Sequence, residues 1–523
     1  MSKSLDSSVN QRFSSRIGML LCVLGIAVGT GNIWRFPRIA AQFGGDRGAG
    51  AFLVAWVCFL FLWSIPLIIA EYALGRKCRS GVIGVFKKTA GNRFTWMGSF
   101  VAIVSVAITF FYTVIVGWCI YYFIYLLMNP LPNKDADARL IWNNFQNSGW
   151  PFLFHALAIG LGALAIWMGI KSIERVNKVL IPTLLIIVFL SVLRALTLEG
   201  SWEGVSYLFT PQWDQLLKPK VWLAALTQNA WDTGAGWGLF LTYAAYMKRE
   251  FGAVKNAFIT GIGNNTISLL AALMIFGTVF AVFHTGMVMS EPQVVPISAT
   301  RLVTIPAEAG MTKTQVLEIM RTSGEASTGL TFIWMPQLFA RMVMGSPLSI
   351  LFFLGLTFAG FSSLIAMLEL PTRILVDSGL NRKRAIMIVV AVCYVLGIPS
   401  ARNLNILSNQ DFVWGLALVI SGAFIAFAVW RHGISKLRHN EILSDEKDWR
   451  LGRWWDIILK YFVPFAAIIL LIWWLSLSAT VLAPDQWYNP FNPYSVMTCV
   501  LQWFIMLGIF ILFNKKISNK MPD

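Results

Sequence analysis

The chain has 523 residues, 57% of them hydrophobic and only 13% charged, with a mean hydropathy of +0.66; soluble domains carry about 25% charge. That balance excludes an ordinary water-soluble enzyme, a disordered chain and a disulfide scaffold. The net charge of +17 comes from short Lys/Arg clusters between apolar blocks, which argues against nucleic acid as a partner and reads instead as topology.

Apolar blocks occupy, in chain order, 16–43, 49–75, 97–128, 152–170, 176–196, 221–247, 255–284, 346–376, 384–399, 412–431, 453–482 and 494–514. Crossing a hydrocarbon core of ~30 Å takes roughly 20 residues at 1.5 Å each, so the expectation is a polytopic all-α protein of twelve spans in a lipid bilayer. Arg76, Lys77, Arg79, Lys87 and Lys88, then Lys171 and Arg175, Lys248 and Arg249, Arg382 to Arg384, and Lys436 and Arg438 fall on one side. This places both termini in the cytoplasm. The first block runs on through Arg35 and Pro37 with no cleavage pattern, so no removable signal peptide is expected. Loops 129–151 and 285–345 are long, and TKTQVLEIMR in the second has helical periodicity, as a lid folded over the membrane surface would. The six cysteines and the scattered His155, His284, His432 and His439 show no metal or disulfide spacing.

Blocks 1 and 6 share a peculiarity. GIAVGTGN carries Gly25, Gly29 and Gly31 near mid-span, and DTGAGWG carries Gly234, Gly236 and Gly238 five blocks later. Glycine weakens a helix by about 1 kcal/mol relative to alanine, and unwound backbone at membrane depth is tolerated only where it is buried or lines a cavity. Paired Gly-interrupted segments in two halves point to a transporter binding site on inverted repeats. Taken singly, Gly25 and Gly29 also fit a helix-packing GxxxG face.

GIAVGTGNIWRFP (25–37) resembles the first-helix signature of the neurotransmitter:sodium symporter family. PLIIAEYALGR (66–76), WLAALTQNAWDTGAGWGLFLTYAAY (222–246), FAGFSSLIAM (358–367) and QDF (410–412) resemble its later motifs in order. The resemblance implies a leucine-transporter fold with a five-plus-five inverted repeat and broken helices 1 and 6. The expected organisation is a cytoplasmic segment 1–15, a first repeat 16–196, a second repeat 197–431, two further helices in 453–514 and a cytoplasmic tail 515–523. It implies sodium-coupled, alternating-access import of an amino acid, with two Na⁺ ions as co-substrates and no organic cofactor, in a monomer or homodimer. Two ions descending ~100 mV and a tenfold gradient supply about 7 kcal/mol.

Carried over residue by residue, the second sodium site is Gly25, Val28, Ala359, Ser362 and Ser363; the structural alternative for the serines is bonding to the preceding turn. The first site is Ala27, Asn32, Asn264 and Asp232. Asp232 stands where the family normally has Ser or Thr, and an ionisable residue at mid-membrane is costly and functional by default; helix capping is its structural alternative. Where chloride-dependent relatives hold the anion, this chain reads Trp56, Gln228, Asp232, Asn264 and Ser268. A tyrosine hydroxyl is lost and a carboxylate gained, and two adjacent anions repel by several kcal/mol at an effective dielectric near 20. Chloride-independent transport is expected, with Asp232 as fixed counter-charge; the alternative has Asp232 carry a proton or attract a cationic substrate.

The resemblance lines the substrate pocket with Ile26, Ala27, Thr30, Gly31, Ile108, Tyr112, Trp231, Asp232, Gly234, Trp237, Ser363 and Met367. Gly29 replaces the aspartate of monoamine transporters, so the substrate brings its own carboxylate, and the apolar wall suits a neutral apolar amino acid. Arg35 and Asp411, at the start of block 10, form the outer gate. At the inner gate Tyr246 and Asp377 match the family, but Asn10 and Phe13 replace its arginine and tryptophan, and Arg12 is expected to substitute. Glu71 and Glu369 are expected to bond to unwound backbone. A transport-inactive sensor or channel on the same fold is the competing class; an enzyme is not expected, as no nucleophile constellation is present. Short tails and no outer cysteine pair suit a bacterial inner membrane.

Overall fold

The computed structural model describes residues 11–284, 293–298, 301–305, 313–321 and 329–522. Residues 1–10, Asn10 among them, and the remainder of loop 285–345 lie outside the described residues. Eight helices are long and apolar enough to cross a membrane: Gly50–Cys78, Asn92–Met128, Ile170–Leu196, Val254–Val282, Gly345–Asp377, Arg382–Arg402, Leu404–His432 and Trp454–Leu482. Three more spans are bent pairs, Arg16–Ala27 with Thr30–Gly44 (47°), Ala136–Gln146 with Trp150–Ile166 (71°) and Val496–Leu512 with Asn514–Lys520 (63°). Block 6 divides into Pro219–Asp232 and Leu239–Ala244, each too short to span alone. Blocks 1 and 6 are therefore interrupted within the span, whereas blocks 4 and 12 each hold one unbroken helix, Trp150–Ile166 and Val496–Leu512, that bends sharply into a flanking helix.

Two expectations about elements change. Helix Leu404–His432 begins eight residues before the apolar block, because the Asn403 side chain accepts from the N–H groups of Asn405 (2.8 Å) and Ile406 (3.4 Å) and starts the helix in polar sequence. Asp411 consequently lies two turns inside that helix. All-α describes the bundle only: in loop 285–345, β-branched QVVPIS and RLVTI pair as an antiparallel hairpin, Gln293–Ser298 against Arg301–Ile305. The periodic TKTQVLEIMR forms the helix Lys313–Arg321.

Asn92–Met128 is the central post. It packs against Gly345–Asp377 and Leu404–His432, while Ile170–Leu196 packs against Val254–His284 and Gly345–Asp377. Its apolar window is 83% buried against 22% for Trp454–Leu482, so the late helices face lipid. Loops 45–49, 129–149 and 197–218 and the hairpin gather at one end, the hairpin end; loops 79–81, 167–169, 245–253, 378–381 and 433–453 gather at the other, the basic end. At the hairpin end Arg321 donates to the carbonyls of Ala41 and Gly45 and to Asp46, each at 3.0 Å. It thereby closes the last turn of helix Thr30–Gly44, where free carbonyls favour a cation. Asp46, an extra residue relative to the family pattern, acquires a structural role.

Close backbone approach ties helix Ile65–Cys78 to Leu239–Ala244: a Cβ on Gly75 would sit 2.2 Å from the Leu241 carbonyl oxygen. Gly75→Ala is therefore expected to destabilise the protein by about 1–3 kcal/mol through overpacking. Gly160→Ala, whose Cβ would meet nothing within 4 Å, is expected to leave stability unchanged or raise it by up to about 1 kcal/mol. Thermal melting of both variants in one detergent checks the pair, and equal shifts would refute the close approach.

Candidate functional site

Both interruptions come from residues that leave helical geometry. Val28 (φ −85, ψ 94) and Gly29 (φ −111, ψ −171) are extended, and the Asn32 side chain re-caps the chain by accepting from Gly29 N–H at 2.8 Å. In block 6, Gly234, Gly236 and Gly238 have φ of 70, 90 and 77, a left-handed region costly for any other residue. Gly236 has a second reason to be glycine: its Cβ would lie 3.0 Å from the Gly422 backbone.

The freed peptide groups are met from neighbouring helices. Buried Glu71 accepts from Gly236 N–H (2.6 Å) and Leu241 N–H (3.1 Å), bridging the block 6 gap as expected. Ser105 donates to the Trp237 carbonyl at 2.5 Å. Glu369 behaves differently from the expectation: it accepts from Tyr246 (2.6 Å) and pairs with Arg382 (3.0 Å) rather than with unwound backbone.

The block 1 break faces the serine pair. Ser363 Oγ lies 3.1 Å from Gly25 O, 3.2 Å from Ile26 O, 3.4 Å from Val28 O and 3.5 Å from Ala359 O, and Ser362 Oγ lies 2.9 Å from Ala359 O and 3.3 Å from Val28 O. Each hydroxyl donates one proton at a time, so carbonyl acceptors outnumber donors in this buried nest. Hard oxygen donors without a carboxylate suit a small cation.

A second oxygen cluster lies beside it. Gly29 N–H fixes the Asn32 amide, whose nitrogen then donates to Asn264 and to Ser268 Oγ, each at 2.7 Å. The Asn264 atom facing that nitrogen must be oxygen, although it stands 3.0 Å from Ala27 O and 3.2 Å from Asp232 O. Turning this amide would relieve the oxygen contacts but set nitrogen against nitrogen, so we keep the oxygen inward. Three mutually repelling oxygens then converge, an arrangement that a cation stabilises. The Asp232 carboxylate accepts from Ser268 at 3.3 Å through Oδ2, while Oδ1 is buried without a partner, as are both polar atoms of the Gln228 amide and Trp56 Nε1.

Between the two breaks lies a cavity that opens at the mouth near Arg38, Leu407 and Asp411. Every expected pocket residue lines it except Ile108, which is fully buried one turn deeper than Tyr112, where the helices have already closed. Phe111 and Ile115 take its place. Tyr112 Oη stands 3.4 Å from Thr30 N, at the positive N-terminus of helix Thr30–Gly44. Sequence reasoning missed Arg38, which lines the mouth with Arg35, Leu407 and Asp411; its spacing of three from Arg35 on one helix was the available signal.

The gates differ at the two ends. Arg35 lies over the Trp231 ring, 4.6 Å from its centroid, and makes no ion pair with Asp411 within 4.0 Å, so the expected outer pair is not joined. At the basic end Arg12 does not reach Asp377: it donates to the Gln11 carbonyl (2.9 Å). Asp377 is already filled by Arg373 one turn back on its own helix (2.9 Å), Ser80 Oγ (2.8 Å) and Gly81 N–H (2.6 Å). Phe13 fits beneath Tyr246, donating its N–H to the Tyr246 carbonyl (3.2 Å).

Comparison with known proteins returns the same arrangement. The family model described as the sodium:neurotransmitter symporter family matches residues 10–150 and 144–520. An uncharacterized sodium-dependent transporter of Methanocaldococcus jannaschii is 32% identical over 467 residues, covering 86% of this chain and 87% of its own. The sodium-dependent serotonin transporter of Drosophila melanogaster is 25% identical over 548 residues, covering 95% and 82%. Among solved structures, MhsT in complex with L-phenylalanine superposes with a TM-score of 0.72 at 27% identity, over 88% of this chain and 99% of that one. A bundle whose two broken helices converge on oxygen-rich nests, matched along nearly its whole length, is no enzyme: the chain belongs to the sodium:neurotransmitter symporter family and is a sodium-dependent transporter.

Proposed function

We propose that the chain imports a neutral, apolar amino acid together with two Na⁺ ions, without chloride. The observation that carries this reading is the surplus of carbonyl oxygens around Ser362 and Ser363, which supports a Na⁺ position formed by Gly25, Val28, Ala359 and the two hydroxyls. The Ala27, Asp232 and Asn264 oxygens support a second, with Asn32 orienting Asn264. The substrate carboxylate is placed at Tyr112 and the N-terminus of helix Thr30–Gly44, where free N–H groups and the dipole favour an anion. Its side chain lies against Ile26, Trp231, Trp237 and Met367.

Position 29 favours an amino acid over a monoamine. A Cβ there would lie 3.0 Å from Ser363 Oγ and 3.1 Å from Tyr112 Oη, so an added carboxylate side chain would crowd the groups that hold the substrate's own. The phenylalanine bound by MhsT, a relative of similar fold, supports the same class. With the basic loops on the cytoplasmic side of a bacterial inner membrane, the cavity reaching Arg38 and Leu407 is the outward-facing state, and the Arg373–Asp377 and Glu369–Arg382 pairs close the inner side. Asp232 serves as the fixed negative charge where relatives hold chloride. Its unpartnered Oδ1 favours one second reading, a proton carried on that oxygen.

Three outcomes are expected in proteoliposomes. Labelled phenylalanine, leucine and tryptophan accumulate only under an inward Na⁺ gradient and equally in chloride or gluconate; accumulation without Na⁺ refutes the coupling, and a pH-dependent rate near neutrality at saturating Na⁺ selects the proton reading. Asp232→Ser makes uptake chloride-dependent, and a variant that is active and indifferent to chloride refutes the counter-charge role. Ser362→Ala raises the half-saturating Na⁺ concentration by about tenfold, equivalent to about 1.4 kcal/mol; an unchanged value removes this serine from the ion site.

A further inference from the structure

One cluster of positive charge at the basic end lacks a counter-charge among the described residues. The guanidiniums of Arg93 and Arg431 both lie over Phe94, 5.9 and 5.4 Å from its ring centroid. Both residues are exposed, and neither joins an ion pair among the described residues. Lys515 and Lys516 stand exposed on helix Asn514–Lys520 beside them. That helix is held in place by Asn514, which donates to Asn92 O (2.9 Å) and accepts from Trp96 N–H (2.8 Å). The segments that meet at this corner, 82–95, 424–437 and 496–522, contain no aspartate or glutamate. Glu441, in the next loop, is taken by Lys77 at 2.9 Å.

Below the charges the corner is aromatic. Phe94 meets Phe427 edge-on at 5.2 Å and Trp96 meets Phe424 at 5.6 Å, while Trp430 is 52% exposed. Arg93 lies at the start of span Asn92–Met128 and Arg431 at the end of span Leu404–His432, so the guanidiniums stand at headgroup depth and the rings run toward hydrocarbon. Exposed cations are usually just solvated. Two arginines sharing one ring, two lysines docked beside them and no acid to separate them repel one another unless an anion intervenes.

We propose that this corner binds an anionic glycerophospholipid, with its phosphodiester between Arg93 and Arg431 and an acyl chain along Phe427 and Trp430. Guanidinium forks match phosphate oxygens in pairs, and the rings give the lipid a contact that free phosphate lacks. The site is separate from the transport cavity and does not depend on which solute is carried.

The test is native mass spectrometry of the full chain released from micelles containing phosphatidylglycerol and phosphatidylcholine. The wild type is expected to retain phosphatidylglycerol preferentially. R93Q/R431Q is expected to lose that preference by roughly 25-fold, about fivefold for each basic residue near an anionic surface, with an unchanged melting temperature. R93K/R431K keeps the charge and retains most of the preference. Millimolar inorganic phosphate leaves lipid retention intact; displacement by phosphate would reveal a free-anion site and overturn the lipid assignment. Equal retention of both lipids by the wild type overturns the proposal, as does undiminished preference in R93Q/R431Q. Should the double variant fail to fold, Arg431→Gln alone carries the same expectation at about fivefold and the same refutation.

Discussion

A peptide group stranded in hydrocarbon must find its hydrogen-bond partner inside the protein, and the two interruptions at the centre of this bundle are organised by that requirement. Each unmet group would cost several kcal/mol, so a broken span survives only where neighbours supply the missing partners. The two breaks are satisfied with opposite chemistry. In block 6 the stranded groups include N–H donors, and buried Glu71 takes two of them. In block 1 they are carbonyl oxygens, and two serine hydroxyls, which also face Ala359 O on their own helix, answer three of them incompletely. On the proposed reading the deficit on one side seats a cation, and the helix N-terminus beyond Gly29 seats the substrate carboxylate.

This places ions and solute where they share backbone. Asn32 joins the clusters: it caps the helix restarting at Thr30, orients Asn264 and reaches Ser268, which in turn bonds to Asp232. Thr30, one residue past the cap, meets Tyr112 in the cavity. A displacement of helix Thr30–Gly44 therefore moves the proposed ion ligands and substrate ligands together, a physical route by which their occupancy would be coupled. At its far end the same helix is tied to Lys313–Arg321 through Arg321, so the hairpin-end cover is attached to the element that carries the site.

The two ends are closed by unlike interactions. The basic end is held by two acids: Glu369 pairs with Arg382 of the next helix, and Asp377, its charge met by Arg373 on the same helix, accepts from Ser80 and Gly81 of a neighbouring loop. Separating a buried acid from its cation leaves uncompensated charge, at a cost of about 3–5 kcal/mol. The hairpin end has no such lock: Arg35 rests on Trp231 and Asp411 stands apart.

Much of this was legible in the amino-acid order, because hydropathy, glycine spacing and short motifs are local properties. The spans and the paired breaks follow from residues within a few positions of one another, while the serine nest and nearly all the cavity wall were expected from short motifs that resemble the family's. Asp232 stood out for the same reason, as a lone carboxylate in an apolar run. What the order alone left undecided concerned partners distant along the chain. Asp377 is saturated by Arg373, Ser80 and Gly81, so Arg12 has no acid to join there; Ile108 lies one turn below the cavity floor; Asp46 is explained only by Arg321, 275 positions away. Periodicity tells which face of a helix is apolar, but the depth at which neighbouring helices close, and which of several charges lies within reach of another, is set by packing of the whole bundle, and only the tertiary structure decided it.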